Sequence, residues 1–267
     1  MSQMLQEDSS LVEVRSFYVR QRNALLVRGH FSPLYMDYYL HLMQHSIAQR
    51  PFLDEQLKDL LASVTLHACS RPLDETVAWT VNQHRPLANF FVTATNRPGR
   101  VTGRIFTEDV RDGGKNLFIA QLTRLQHQPR QSMVEFEGED LVKAVEQFYT
   151  QSEQRLTRIF RAEDEEFIMI SAEPDCDEEW LSALKFDDVM KLEQSEHLTL
   201  LETRGYVFEC GCSIDRLYPL ISRLPQDDID HIFGDGVAVI TCPRCAAVFR
   251  APRNHFDEWF VRQPQKS

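Results

Sequence analysis

Hydrophobic and polar positions change their period several times along this chain, and each change marks a boundary. Residues Ala24 to His30, Val77 to Asn82, Phe90 to Thr95 and Val101 to Thr107 are short runs rich in Val, Phe, Ile and Thr, the pattern of β-strands. Asn96-Arg97-Pro98-Gly99 and Asp112-Gly113-Gly114 supply turns between such runs. Two longer stretches repeat with helical spacing. One runs from Leu34 to Ser70 with a break around Pro51; the other runs from Asp140 to Phe160 and carries Leu141, Val145, Phe148 and Tyr149 on one face. Residues 1–162 therefore predict an α+β body of mixed strands and helices.

After Phe160 the pattern becomes acidic. Between Arg161 and Glu179 stand nine acidic residues (Glu163, Asp164, Glu165, Glu166, Glu173, Asp175, Asp177, Glu178 and Glu179), with Arg161 the one base among them. Phe167-Ile168-Met169-Ile170 still fits a strand, and Trp180, Leu181, Leu184, Val189, Met190 and Leu192 fit the apolar faces of short amphipathic helices. Like charges work against a compact state. Residues 163–205 thus predict a partly helical linker of marginal stability.

From Tyr206 the periodicity is regular again. Ser213 is suited to cap a helix through Leu217, Leu220, Ile221 and Leu224, and Pro225 to open a second one. Ile229, Ile232 and Phe233 give that second helix its face, and Gly234 ends it. Val237–Thr241 and Ala247–Arg250 flank Cys242-Pro243-Arg244-Cys245 as two short strands. Residues 206–267 therefore predict a small domain in which a knuckle hairpin packs against helices.

Composition narrows the function classes. At 267 residues the chain can bury a proper core, and 43% hydrophobic with 26% charged residues is ordinary for a globular protein. No run reaches the ~18 apolar residues of a spanning helix, and Met1 to Asp8 has neither the basic cluster nor the apolar core of a secretory signal. A cytoplasmic protein without membrane partners is expected. In a reducing compartment six cysteines point to metal ligands or redox sensors. The net charge of -11 and pI of 5.3 would repel phosphate backbones, which argues against a nucleic-acid partner.

Candidate chemistry concentrates in four cysteines. Cys210-Gly211-Cys212 and Cys242-Pro243-Arg244-Cys245 form two close pairs separated by 29 residues, the donor set of one tetrahedral Zn2+. Four thiolates leave no open coordination position, so the site is structural or regulatory rather than hydrolytic. Neighbouring thiolates can also collapse into redox-active disulfides, Cys210 with Cys212 and Cys242 with Cys245, which would expel the metal. With a marginal linker just upstream, the combination reads as a switch.

Other motifs read more plainly. His67 and Cys69 are two apart on a helix and point apart, so Cys69 is expected to be a buried thiol rather than a nucleophile. Acidic neighbours disfavour a Cys176 thiolate. Gly113-Gly114-Lys115 lacks the remaining residues of a phosphate loop and reads as a hairpin turn. His41 and His45 could share a helix face as metal ligands, but Leu42 stands where a zinc protease needs its glutamate. No catalytic residue is assigned, and an enzyme is not expected.

Two further segments complete a pattern. Gln151-Ser152-Glu153-Gln154 followed by Thr157, and Val27-Arg28-Gly29 near the start, combine with Cys210-Gly211-Cys212-Ser213, Cys242-Pro243-Arg244-Cys245 and Phe249. In these features the chain resembles the 33-kDa heat-shock family of redox-regulated holdase chaperones. The resemblance implies an ATP-independent holdase, inactive when reduced and zinc-bound. Oxidation would form both disulfides, release zinc and free the linker, and the protein, often as a homodimer, would then hold unfolding client proteins. It implies that Cys210, Cys212, Cys242 and Cys245 are both ligands and sensors. The competing readings are a zinc-stabilised adaptor or transcription-associated module without redox switching, and a thiol oxidoreductase using Cys242 and Cys245. The oxidoreductase ranks last, because its Cys-x-x-Cys would open a helix, whereas here strands flank it.

Overall fold

The computed structural model describes residues 11–262. The expectation about Met1 to Asp8 falls outside the described residues. The chain divides into two compact units. The larger holds the described residues up to Leu40 together with Gln49–Glu209, and the smaller holds His41–Ala48 together with the described residues from Cys210.

The larger unit is built on a ten-stranded sheet. In chain order its strands are β1 (Val12–Val19), β2 (Ala24–His30), β3 (Glu75–Gln83), β4 (Ala88–Asn96), β5 (Gly99–Phe106), β6 (Asn116–Arg124), β7 (Arg130–Phe136), β8 (Thr157–Arg161), β9 (Glu166–Ala172) and β10 (Leu198–Phe208). They lie in the order β7-β6-β3-β4-β5-β10-β1-β2-β9-β8. All pairs are antiparallel except β10 with β5, a short parallel contact at Val207–Arg100 and Phe208–Val101. Backbones approach closely at this junction, where a Cβ on Gly99 would stand 1.9 Å from the Gly205 carbonyl oxygen.

Two helices precede β3: α1 (Ser32–Gln44) and α2 (Pro51–Cys69). The break expected around Pro51 is present, with Pro51 at the first helical position where its missing N–H costs nothing. α2 is buried around almost its whole circumference from Leu53 to Cys69 and packs on strands from both halves of the sheet. Several of its buried polar groups find partners, while Ser63 Oγ and Gln56 Oε1 find none. The Tyr38 hydroxyl donates to Asp54 at 2.6 Å, Lys58 Nζ donates to Glu165 at 3.1 Å, and Gln56 Nε2 donates to the Glu139 carbonyl at 2.6 Å.

The second expected helix is shorter than its periodicity predicts. α3 (Leu141–Phe148) is followed by a π-helical turn, Tyr149–Glu153, and Gln154 in the left-handed conformation with φ 53° ends it. Residues 157–160, read as helix in the sequence, are instead strand β8. Thr157, Ile159 and Phe160 carry β-favouring side chains, and pairing with β9 outweighs the helical repeat. The four residues expected on the helix face, Leu141, Val145, Phe148 and Tyr149, are all buried.

The acidic segment is folded into the larger unit. Its expected strand is β9, and three short helices follow: α4 (Glu178–Ala183), α5 (Phe186–Met190) and α6 (Leu192–Ser195). Leu181, Leu184, Val189 and Leu192 pack in one cluster with Val19, Ala24, Leu26, Phe160, Ile168 and Ile170. Met190 is exposed.

The smaller unit contains α7 (Ile214–Ile221), α8 (Gln226–Ile232), the antiparallel hairpin of β11 (Val237–Thr241) and β12 (Val248–Pro252), and α9 (Arg253–Arg262). Its core is small: Tyr218, Ile221, Ile229, Phe233, Ala238, Ala251 and Phe256. Leu217 and Ile221 are buried as expected, but Leu220, Leu224 and Ile232 face solvent. α9 was not legible in the sequence; it supplies Phe256 to this core.

Candidate metal centre

Both cysteine pairs are shaped by their backbone. Gly211, with φ 63°, turns the chain so that Cys210 and Cys212 present their sulfurs together. In the knuckle, the Cys242 N–H donates to the Ala247 carbonyl at 2.8 Å and the Ala246 N–H donates to the Cys242 carbonyl at 3.0 Å. Ala246 takes the left-handed conformation, φ 63°, that closes this turn. Cys242 and Cys245 are buried and Cys210 and Cys212 half-buried, with Ala247 and Phe249 packed around them.

The four Sγ atoms lie within 4.8 Å of one another. Cys210 to Cys242 is 3.8 Å and Cys212 to Cys245 is 3.5 Å. A tetrahedron with metal–sulfur bonds of about 2.3 Å has edges of about 3.8 Å, so these donors fit one such ion. No disulfide links any of the six cysteines. The electrostatics point the same way. Hydrogen bonds from Cys210 and Cys245 pull the Cys242 thiol far below its usual range, and the same bonds push Cys245 and Cys210 up. Burial pushes Cys212 up to about 12. Four thiolates packed this closely repel one another, and a bound cation's charge would let them coexist.

Sequence reasoning placed His41 and His45 on a common helix face, and their rings are 4.8 Å apart at the end of α1. Neither belongs to the ligand cluster among the described residues. His41 Nε2 instead contacts the Cys245 carbonyl oxygen at 2.9 Å, and His45 packs near Phe249. This support of the knuckle was missed; its signal was the i,i+4 histidine pair itself.

The remaining candidates are not brought to the cluster. Cys69 is buried, its thiol directed to the Val14 carbonyl oxygen and pushed up to about 12 by burial. His67 is engaged with the Tyr149 hydroxyl instead. The Cys176 thiol is also raised, by partial burial and by Glu178 and Asp177. Gly113-Gly114-Lys115 is not the hairpin turn expected: it lies in the loop from β5 to β6, strands that β3 and β4 separate in the sheet, and there Asp112 accepts the Gly114 N–H at 2.8 Å, with His84 at 2.6 Å from the same carboxylate oxygen.

A mixed sheet over one central helix, followed by a small unit with a four-cysteine cluster, is the arrangement of a family of heat-shock chaperones. The family model described as Hsp33 protein matches residues 40–173 and 162–251, and the chain belongs to that family. It is 24% identical over 157 residues to the 33 kDa chaperonin of Nitrosococcus oceani, covering 51% of this chain and 54% of that one, about half the relative's length. Against the 33 kDa chaperonin of Yersinia pestis it is 24% identical over 253 residues, covering 82% of this chain and 86% of the relative. The crystal structure of the 33 kDa chaperonin (heat shock protein 33 homologue) of Thermotoga maritima superposes with a TM-score of 0.70 at 11% identity, covering 93% of this chain and 97% of that one. The fold is therefore shared where sequence identity is low. Among the described residues no helix is long and apolar enough to cross a membrane.

Proposed function

We propose that this protein is an ATP-independent, redox-regulated holdase chaperone of the cytoplasm, a binding protein without catalytic turnover. Residues 206–267 act as its zinc-binding domain, 163–205 as the redox-responsive linker and 1–162 as the client-binding body. Cys210, Cys212, Cys242 and Cys245 hold Zn2+ in the reduced, resting form. When bound, the metal supplies four thiolate bonds worth roughly 10–16 kcal/mol of folding energy to such a module. The observation that carries the reading is the convergence of four sulfurs within 4.8 Å.

Oxidation joins Cys210 to Cys212 and Cys242 to Cys245. Each bond takes two electrons from a thiol pair and passes them to one peroxide, which leaves as water, and each removes two metal donors. The small unit has few buried side chains with which to replace that lost stability. Upstream, α4, α5 and α6 are four to six residues long and too short to persist undocked. They cover Val19, Leu26, Phe160, Ile168 and Ile170, an apolar surface suited to unfolding chains once bared. The oxidised form holds these clients as a dimer.

The test measures zinc content and suppression of a heat-unfolded client's aggregation on one sample, before and after peroxide at raised temperature. One zinc per chain should leave as holding activity appears, and reductant with zinc should reverse both. Zinc loss with no client held would leave the metal a purely structural role and overturn the switch. Client binding unchanged by peroxide would favour the adaptor, and catalytic disulfide exchange the oxidoreductase.

A further inference from the structure

The acidic segment poses an electrostatic problem. It carries a strong local excess of negative charge, in a chain of net charge -11, yet it lies folded on the body. The turn between β1 and β2 resolves it. Arg22 Nη1 bonds Asp177 at 2.6 Å, Arg22 Nε bonds Glu196 at 2.9 Å, and the guanidinium lies 5.4 Å from the centre of the Trp180 ring. Asp177 opens α4 and Glu196 follows α6, so one side chain joins both ends of the three-helix segment.

The backbone of the same turn repeats the grip. The Arg22 carbonyl accepts the Asp177 N–H, and the Asn23 carbonyl accepts the Glu173 N–H, both at 3.0 Å. Asn23 Nδ2 donates to the Asp175 carbonyl at 3.0 Å. At the far end the Arg20 N–H donates to the His197 carbonyl at 3.2 Å, and Arg20 Nε to Thr199 Oγ1 at 2.7 Å. The Glu196 side chain is only 6% exposed beside Arg22, so this ion pair is sheltered from solvent more than an ordinary surface pair. A pinned loop also loses less entropy on docking than one held at a single end.

We infer that Arg22 is the latch of the acidic segment, an autoinhibitory contact that holds α4, α5 and α6 on the apolar surface and sets how readily they leave it. This rests on the holdase reading above for its consequence, though not for its geometry. Opening the latch frees the segment from the body side, with the metal centre intact. Arg28, bound to Glu166 and Glu193, is a second and more local clamp that joins β9 to α6.

The test uses the full chain, zinc-loaded and kept in reductant. Hydrogen exchange across 178–196 is followed in the unaltered protein, in Arg22→Ala and in Glu196→Gln, with zinc content and client aggregation measured alongside. In Arg22→Ala, exchange there should quicken at least tenfold while the β11–β12 hairpin keeps its protection and zinc stays at one per chain. The variant should then hold client without oxidant. Glu196→Gln should move in the same direction, and the double variant should be no faster than Arg22→Ala alone. Exchange within twofold of the unaltered protein in a folded Arg22→Ala overturns the latch. Should that variant not fold, Glu196→Gln, which leaves the turn intact, decides by the same criterion. Faster exchange with no client held, while the oxidised unaltered protein does hold it, overturns the regulatory role. If neither holds client, the latch stands and the holdase reading falls.

Discussion

The two units of this molecule are stabilised by different physics. In the larger, a nearly all-buried α2 and the cluster of Trp79, Phe118 and Phe148, with ring centroids 4.9 to 6.1 Å apart, give the sheet a core that needs no ligand. The smaller has seven buried residues in its main cluster, two of them alanines, and a separate cluster made of its cysteines, Ala247 and Phe249. A unit with so little apolar area depends on a crosslink or a metal. Loss of the metal should therefore act first on the smaller unit and leave the core of the larger one in place.

Metal removal should have the largest effect. A chelator strong enough to strip the four-cysteine site takes away on the order of 10 kcal/mol from the smaller unit. Amides of β11 and β12 should lose hydrogen-exchange protection and the fluorescence of Trp259 should shift to longer wavelength, while Trp79 and the β3–β4 pair stay protected. Loss of protection in both units together would break the comparison. The converse is a substitution in the larger unit. Gly99→Ala puts a Cβ against the Gly205 carbonyl, where β5 meets β10 over only two residue pairs. A cost of about 3 kcal/mol, read from the denaturant midpoint, is expected with zinc content unchanged.

Acid sharpens the contrast on the side of the larger unit. His67 is buried among Trp79, Phe148 and Tyr149, and burial lowers its pKa to about 3. The unfolded chain protonates this ring near 6.5, so it binds more protons than the folded one below that pH. Stability is full above about 6.5 and falls progressively as pH drops toward 3. Between pH 7 and pH 5 this amounts to roughly 2 kcal/mol. His67→Gln, which keeps a partner for the Tyr149 hydroxyl, should lose that slope in urea titrations; an unchanged slope would assign it to other groups.

The same contrast decides what could be read from the sequence. β2 was legible because its run of β-favouring apolar residues is buried in the sheet, and the break at Pro51 because a proline fits the first position of a helix and not its interior. β7 was not, since as an edge strand it buries little beyond Val134 and Phe136, and β10 hides its strand pattern behind Glu202, Arg204 and the exposed Leu200 and Leu201. The cysteine cluster was legible because two thiolates must be close in sequence to share a tight turn. Arg22 and His41 were not. Their partners lie 155, 174 and 204 residues away, and no local pattern records a contact that only the fold creates.

Helix caps give the smallest expected effect, and they separate a sequence signal from its physical realisation. Asp140 and Ser213 are both good capping residues, and each stands just before a helix. Asp140 accepts the backbone N–H groups of Val142 and Lys143 at 3.0 and 3.1 Å, whereas the Ser213 side chain makes no capping bond. Asp140→Ala should therefore cost about 1 kcal/mol, and Ser213→Ala less than about 0.5 kcal/mol. Thermal unfolding of the zinc-loaded protein measures the first, and zinc affinity in a chelator competition measures the second, since folding of the smaller unit and metal binding are one equilibrium. If Ser213→Ala weakened zinc markedly, α7 would contribute to the stability of the metal centre, and the smaller unit would be less dependent on its four sulfurs than its sparse core implies.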